Sequence, residues 1–417
     1  MRQAIILTLG LATFGVSYAQ NPDWNPGTTE TFQWPGFTPE LSVRVPDNYT
    51  TDRKWPIAFH YHTIGMEPNF IVPGTYSGNR DFILVAMTYK EEQPQVFTQK
   101  EDYWEREFQI LRDIRAKLVS RQLQVDVART YVGGDGVGGW YASHYADLFG
   151  NELAGIYMTG AGKFGSSPIK GKPFQKRGKP IYIGAAQLEL NFGYSLNGKT
   201  HFTRLGGRVT LDEYTAQKHI VPMDQVYVSE RMRQWFQIEG NRTTPEVGRQ
   251  FVGEWKVLVE KKLAGLSSPL DRMLFLDHLT SFPFYPALPA DFRAQLQATN
   301  QQLQRDPKLK PEFAAKKVYE QLLVYETRDF SIEARRNVAH QYANLYKQYP
   351  ETHYGKRAGI AVNRMRDLVE NPDRFVWNDF GMRAQFLKDV AERPLPELPD
   401  EKLLHEMERV SNLVYIN

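Results

Sequence analysis

The stretch Arg129-Thr-Tyr-Val-Gly-Gly-Asp-Gly-Val-Gly-Gly-Trp-Tyr-Ala-Ser143 decides the reading of this chain. Thr130-Tyr131-Val132 is β-branched and aromatic and reads as the end of a strand, while the residues from Trp140 onward open a helical pattern. Gly134, Gly136, Gly138 and Gly139 occupy the junction. Glycines so placed mark a sharp turn with positive φ, or a second backbone passing too close for a Cβ. The same residues formally satisfy Gly-x-Gly-x-x-Gly at 134, 136 and 139. A dinucleotide fingerprint, however, belongs to the first βα unit of its fold, with an acidic residue about 20 positions on. Here several strands precede the glycines, which argues against a nucleotide site.

Upstream, Leu41-Ser-Val-Arg-Val45 alternates apolar and polar residues and reads as a half-buried strand, with a turn at Pro46 to Tyr49. Pro56 to Tyr61 and Phe82 to Met87 are short apolar runs of the kind a buried parallel strand needs. Trp104, Phe108, Leu111, Ile114 and Leu118 then recur at steps of three and four, which predicts an amphipathic helix. Downstream, Leu153 to Thr159, Lys179 to Gly184 and Gly207 to Leu211 read as strands, and Met232 to Ile238 as a closing helix. Strands alternating with helices predict an α/β domain over residues 41–239: a mostly parallel sheet with right-handed crossovers and helices on both faces. Residues 20–40 read as an extended lead-in. Near Gly240 to Pro245 the composition changes, and residues 240–417 read as a mainly α-helical domain with a Pro- and Phe-rich bend at Ser281 to Pro289. Within it, Asn337 to Met365 has the pattern of a helical hairpin broken at Tyr349-Pro350, and resembles one tetratricopeptide-type unit. One unit does not make an array, because repeats bury their faces against neighbours.

The 417 residues are 41% hydrophobic and 24% charged, an ordinary globular balance. Net charge is +3, and the basic residues are interspersed, so no stripe exists that would track nucleic acid. Met1-Arg2, the apolar run Ala4 to Val16 and the small residues of Ser17-Tyr18-Ala19 predict a signal peptide over residues 1–19, cut before Gln20. That run is shorter than the roughly 20 apolar residues a bilayer span needs. The expectation is an exported protein, periplasmic or secreted, with no membrane span after the cut. It has no cysteine, so export would bring it no disulfide.

The strand–glycine–helix junction resembles the nucleophile elbow of the α/β-hydrolases, Gly-x-Ser-x-Gly, in the version that ends in a double glycine. It is similar to secreted esterases of the polyhydroxybutyrate-depolymerase and feruloyl-esterase type. In that family the nucleophile sits on a strained turn, and its neighbours two positions away lack a Cβ. Gly134 and Gly138 fit that requirement, and the nucleophile position falls on Gly136. The resemblance covers roughly Val43 to Phe236. It implies that the strand ending at His60-Tyr61-His62 leads into an oxyanion loop, with Thr63 where the family often has glycine and Val137 as the other oxyanion position. It further implies an acid position at Glu189, within Gln187 to Leu190, and a base at His219, within Thr215 to Pro222. Nucleophile, acid and base follow in the family's order.

In such enzymes the histidine takes a proton from serine, whose oxygen attacks an ester carbonyl. Gly136 has no atom to attack with. Asp135 is an alternative nucleophile only if the elbow shifts by one, which leaves Val137 where glycine is wanted. It is also an alternative acid that, with His219, could activate a water. Ser143 lies two helical turns onward. The expectation is therefore an exported hydrolase-fold protein without catalysis, serving as a binding or scaffold component. The other reading is an esterase acting through His219 and an atypical nucleophile or an activated water. A surviving cleft lined by Tyr61, His62, Phe70, Trp140 and Tyr141 would suit a small-molecule, ester or glycan ligand. The helical half would offer a surface for a protein partner. No residue pattern points to a cofactor, and His60 with His62 alone is a weak metal signature without a third ligand.

Overall fold

The computed structural model describes residues 24–34, 40–63, 67–89, 96, 99–164, 167, 169–187, 189, 191–214, 226–241, 245–280, 285–327 and 332–370. Of these, 214, 226–230, 241, 245–251, 332–333, 335 and 366–370 are described by backbone alone. The expected signal peptide, His219 with its loop, the first part of the Pro- and Phe-rich bend and the last 47 residues of the helical half lie outside the described residues.

Eight strands form one sheet: β1 Thr29–Phe32, β2 Leu41–Arg44, β3 Trp55–Tyr61, β4 Ile83–Met87, β5 Val125–Asp135, β6 Gly155–Thr159, β7 Lys179–Ala186 and β8 Gly207–Tyr214. They are ordered β1-β2-β4-β3-β5-β6-β7-β8. β1 pairs antiparallel with β2 and β2 with β4, while every pairing from β4 to β8 is parallel. This is the α/β-hydrolase-type sheet that the sequence leads one to expect. β3, β4 and β6 are buried along their whole length, because helices cover both faces and leave no strand position for a polar side chain to reach water.

Three helices form the cover on one face: α2 Glu101–Ser120, α3 Val137–Phe149 and α4 Phe192–Arg204. Trp104, Phe108, Leu111, Ile114 and Leu118 of α2 join Ile57, Phe59, Val85, Val132, Ile156 and Ile183 of the strands in a single core. Glu101 and Asp102 lie in the first turn of α2 and Lys117 in its last, so both ends complement the helix dipole. On the other face, α1 Ile71–Ser77 and α5 Val226–Asn241 cover Tyr131, Tyr157 and Tyr182, one tyrosine from each of three successive strands.

After α5 the described chain is helical: α6 Pro245–Gly265, α7 Pro269–Leu279, α8 Ala290–Gln304, α9 Lys310–Glu326, α10 Ile332–Gln348 and α11 His353–Glu370. The break read at Tyr349-Pro350 separates α10 from α11, which pack on each other and on α9 around Tyr319, Tyr342 and Ala358. A second core of Trp255, Phe275, Leu279 and Phe292 joins α6, α7 and α8. Among the described residues no helix is long and apolar enough to cross a membrane.

Two helices were not legible in the sequence. α1 contains Pro73-Gly74 and α4 contains Gly193 and Gly198, residues of low helix propensity. In α4, Gly198 serves contact: a Cβ there would lie 3.0 Å from the Cα of Gly162. Packing decides the conformation there, against local preference.

Candidate functional site

β5 brings the chain to the site. From Thr130 to Asp135 every residue is buried, and the strand ends in the middle of the sheet between β3 and β6. The chain then turns at Gly136, with φ 53° and ψ −113°, and enters α3 directly. The turn is pinned from both sides: the Gly136 N–H donates to the Thr159 carbonyl at 2.9 Å, and the Gly136 carbonyl accepts the Trp140 N–H at 3.1 Å. The neighbouring glycines answer to steric contact. A Cβ on Gly134 would lie 2.3 Å from the Tyr61 carbonyl oxygen, and one on Gly138 only 2.0 Å from the same atom. The end of β3 thus occupies the space that side chains at 134 and 138 would fill. Gly134-x-Gly136-x-Gly138 is a strand-to-helix elbow on the fifth strand, and the dinucleotide alternative has no counterpart in this geometry.

The carboxylate of Asp135 and the hydroxyl of Ser143 are both committed. Asp135 is buried and its Oδ1 accepts the Thr159 hydroxyl at 2.5 Å, while Oδ2 lies 3.4 Å from His60 Nε2. His60 in turn meets the Tyr157 hydroxyl through Nδ1 at 3.2 Å. This polar row lies in the layer under α1 and α5. Of the two histidines considered as metal ligands, only His60 joins this row; His62 lies beyond the end of β3 with its Nδ1 2.7 Å from the Thr63 carbonyl. Among the described residues no group of three or more metal-ligating side chains comes together. Ser143 is buried inside α3 and donates to the Gly162 carbonyl at 2.5 Å.

His62 is buried and its Nδ1 faces the Thr63 carbonyl, an acceptor, so Nδ1 carries the proton and Nε2 is left as an acceptor. Nε2 has no partner among the described residues. Burial, the largest influence, holds its pKa below the ordinary histidine value; the bond to Thr63 opposes this. Thr63, two residues beyond the end of β3, and Val137, the first residue of α3, are both half-buried.

The expected aromatic lining needs correction. Tyr61 is 1% exposed, stacks on Tyr141 at 5.0 Å between centroids and bonds the Tyr145 hydroxyl at 3.1 Å. Tyr141 and Trp140 are buried as well, the latter edge-on to Tyr194. Phe70 packs on the opposite face of the sheet, with Tyr76 and Trp235. These rings build the core beneath the elbow. Alternation along a strand end carries no signal for where the core stops and a cleft begins.

Glu189 follows β7, where a turn from the Ala186 carbonyl to the Glu189 N–H closes at 3.0 Å. Part of the residue meets solvent, yet Oε2 is covered and has no donor among the described residues, and Oε1 receives only a 3.5 Å contact from Asn191. Burial therefore pushes its pKa up to about 8, against a weaker downward pull from Asn191. Between about pH 4.5 and 8 the folded chain keeps a proton that the unfolded chain has released, so this carboxyl costs stability increasingly as pH rises through that window. Glu189→Gln is expected to raise stability by about 1–2 kcal/mol above pH 8 and to leave it unchanged near pH 4. Urea titrations at the two pH values check this.

A buried relay, not visible in the sequence, ties this loop to the helical half. Arg364 of α11 donates to the Gln187 carbonyl at 2.6 Å, the Gln187 amide donates to Glu213 at 2.9 Å, and Arg357 pairs with Glu213. Glu213 sits one residue before the end of β8, the strand that leads in sequence toward His219.

No family model matches the chain, and no curated protein matches it either. Solved structures do resemble part of it. A thermostable esterase is 18% identical, with TM-score 0.34, over 54% of this chain and 62% of its own. A ferulic acid esterase from the anaerobic fungus Anaeromyces mucronatus is 10% identical, with TM-score 0.37, over 51% of this chain and 90% of its own. A hyperthermophilic esterase from Pyrobaculum calidifontis is 15% identical, with TM-score 0.37, over 51% and 86%. The chain thus spans less than two thirds of the first of these. At such identities and scores the likenesses say nothing about activity; the strand order and the elbow define the fold.

Proposed function

We propose that this chain is an exported α/β-hydrolase-fold protein that has lost its nucleophile and works by binding or scaffolding. The observation that carries this reading is the elbow itself: the strained turn and its two contact glycines are kept, and its tip, Gly136, has no side chain. The substitutes weighed from sequence speak against rescue. Asp135 is held by Thr159 and near His60, and Ser143 by Gly162. A base at His219 and an acid at Glu189 would have no hydroxyl to act on, and an oxyanion hole at Val137 and Thr63 would retain only a small residual rate. Export rests on the leader at residues 1–19. The ligand would be a small molecule, and the helical half would supply a surface for a protein partner.

Two measurements test the reading. Purified protein incubated with p-nitrophenyl acetate is expected to release p-nitrophenol no faster than heat-denatured protein. Turnover that His219→Ala abolishes would overturn the proposal. The second concerns the turn. Any side chain at φ 53° carries a strain of about 1–3 kcal/mol, so Gly136→Ala and Gly136→Ser should lose the same stability in urea. A serine that costs nothing would place another residue at the tip.

A further inference from the structure

A cavity of about 750 Å³ lies between the two halves of the chain. α4, the end of β8 and Arg231 of α5 wall one side of it, and α7, α9 and α11 the other. Its volume is that of a small-molecule site, and neither Gly136 nor any other elbow residue reaches it. Five cations line it: Lys199, Arg204, Arg231, Lys316 and Arg357. Only three acids do, Glu213, Asp277 and Glu320. Arg357 pairs with Glu213, and Lys316 with Asp277 and, at 3.8 Å, with Glu320. Arg231 takes its partner from outside the lining, the buried Asp212. That leaves Lys199 and Arg204, both exposed on α4, whose side chains make no hydrogen bond or ion pair among the described residues, although the Lys199 charge also acts on Glu213. His278 in the same wall reports the same field: burial first, then Arg231, Arg357, His353 and Lys316, hold it well below the ordinary histidine range. Leu196, Leu211 and Leu323 supply apolar wall between the charges.

We propose that this cavity binds a small organic anion, with its carboxylate or phosphate at Lys199 and Arg204 and its body against the leucines. Water-exposed rim cations are strongest where low-dielectric walls focus their field, and the two halves that flank this open cavity provide such walls. The proposal goes beyond the reading of the elbow, because it holds equally for a catalytic and a non-catalytic chain.

The test is isothermal titration of the full chain at low salt. The probes are benzoate and glucuronate as carboxylates, glucose 6-phosphate as the phosphate, and benzyl alcohol and glucose as neutral counterparts. At least one anion is expected to bind about tenfold or more tighter than its neutral counterpart, and Lys199→Ala/Arg204→Ala to remove about tenfold of that affinity. Which anion binds distinguishes carboxylate from phosphate. Lys261→Ala/Lys262→Ala, removing two cations from α6 outside the cavity, should leave affinity unchanged. The proposal is overturned if no probe binds, if neutral probes bind as well as charged ones, or if both double variants lose affinity equally. It is also overturned if the Lys199/Arg204 variant keeps its affinity while retaining the wild-type circular dichroism.

Discussion

Gly138→Ala is expected to destabilise the chain by about 3–4 kcal/mol, the upper end of what overpacking against backbone costs. The added methyl would sit 2.0 Å from the Tyr61 carbonyl oxygen and 2.5 Å from its carbon, so the main chain of β3 or α3 has to move. β3 is buried along its length between β4 and β5, and α3 is packed into the largest core, which leaves neither with slack. Gly253→Ala is the control. It lies inside α6 with nothing within 4 Å of the new methyl, and should gain about 1 kcal/mol from helix propensity alone. Urea denaturation followed by tryptophan fluorescence separates the two. Equal, small effects would mean that β3 does not press on the elbow, and the register that places Gly136 at the tip would fall with it.

The elbow was legible because its requirement is local. Glycine at 134, 136 and 138 is a backbone statement, and the runs at Pro56 to Tyr61 and Phe82 to Met87 declare two fully buried strands through composition alone. The amphipathic stripe of α2 was equally plain, since each of its five apolar residues faces one core. What sequence could not show are relations between distant segments. Asp135 read as a free carboxylate, but Thr159, 24 residues on, accounts for one of its oxygens. Tyr61 read as a cleft residue, but Tyr141 and Tyr145 of α3 close over it. The cavity between the halves draws its walls from six segments that no spacing rule connects. Arg364 shows the same limit: in sequence it is one more cation on an amphipathic helix, and in the fold it is 2% exposed.

That arginine carries the second large expected effect. Its guanidinium meets both oxygens of Glu326 at 2.5 and 2.6 Å, donates to the Gln187 carbonyl at 2.6 Å and lies 4.3 Å from the centre of the Phe192 ring. One side chain therefore joins α11 to α9, to the turn after β7 and to α4. Replacing it by methionine keeps the volume but leaves Glu326 buried with the Tyr342 hydroxyl, at 2.9 Å, as its remaining donor among the described residues. A buried carboxylate stripped of its cation costs about 3–5 kcal/mol, whereas removing both charges costs far less. Arg364→Met should thus lower stability by about that amount, and Arg364→Met/Glu326→Leu should recover most of it. Hydrogen exchange locates the effect: amides of α11 and α9 should lose protection in the single variant, and so should those of β7 near Gln187, because the same guanidinium holds that carbonyl. Loss confined to α9 and α11 would show that the helical half packs on the sheet without this bond. Loss reaching β7 would mean that the turn after β7, which carries Glu189, is held in place from outside the sheet.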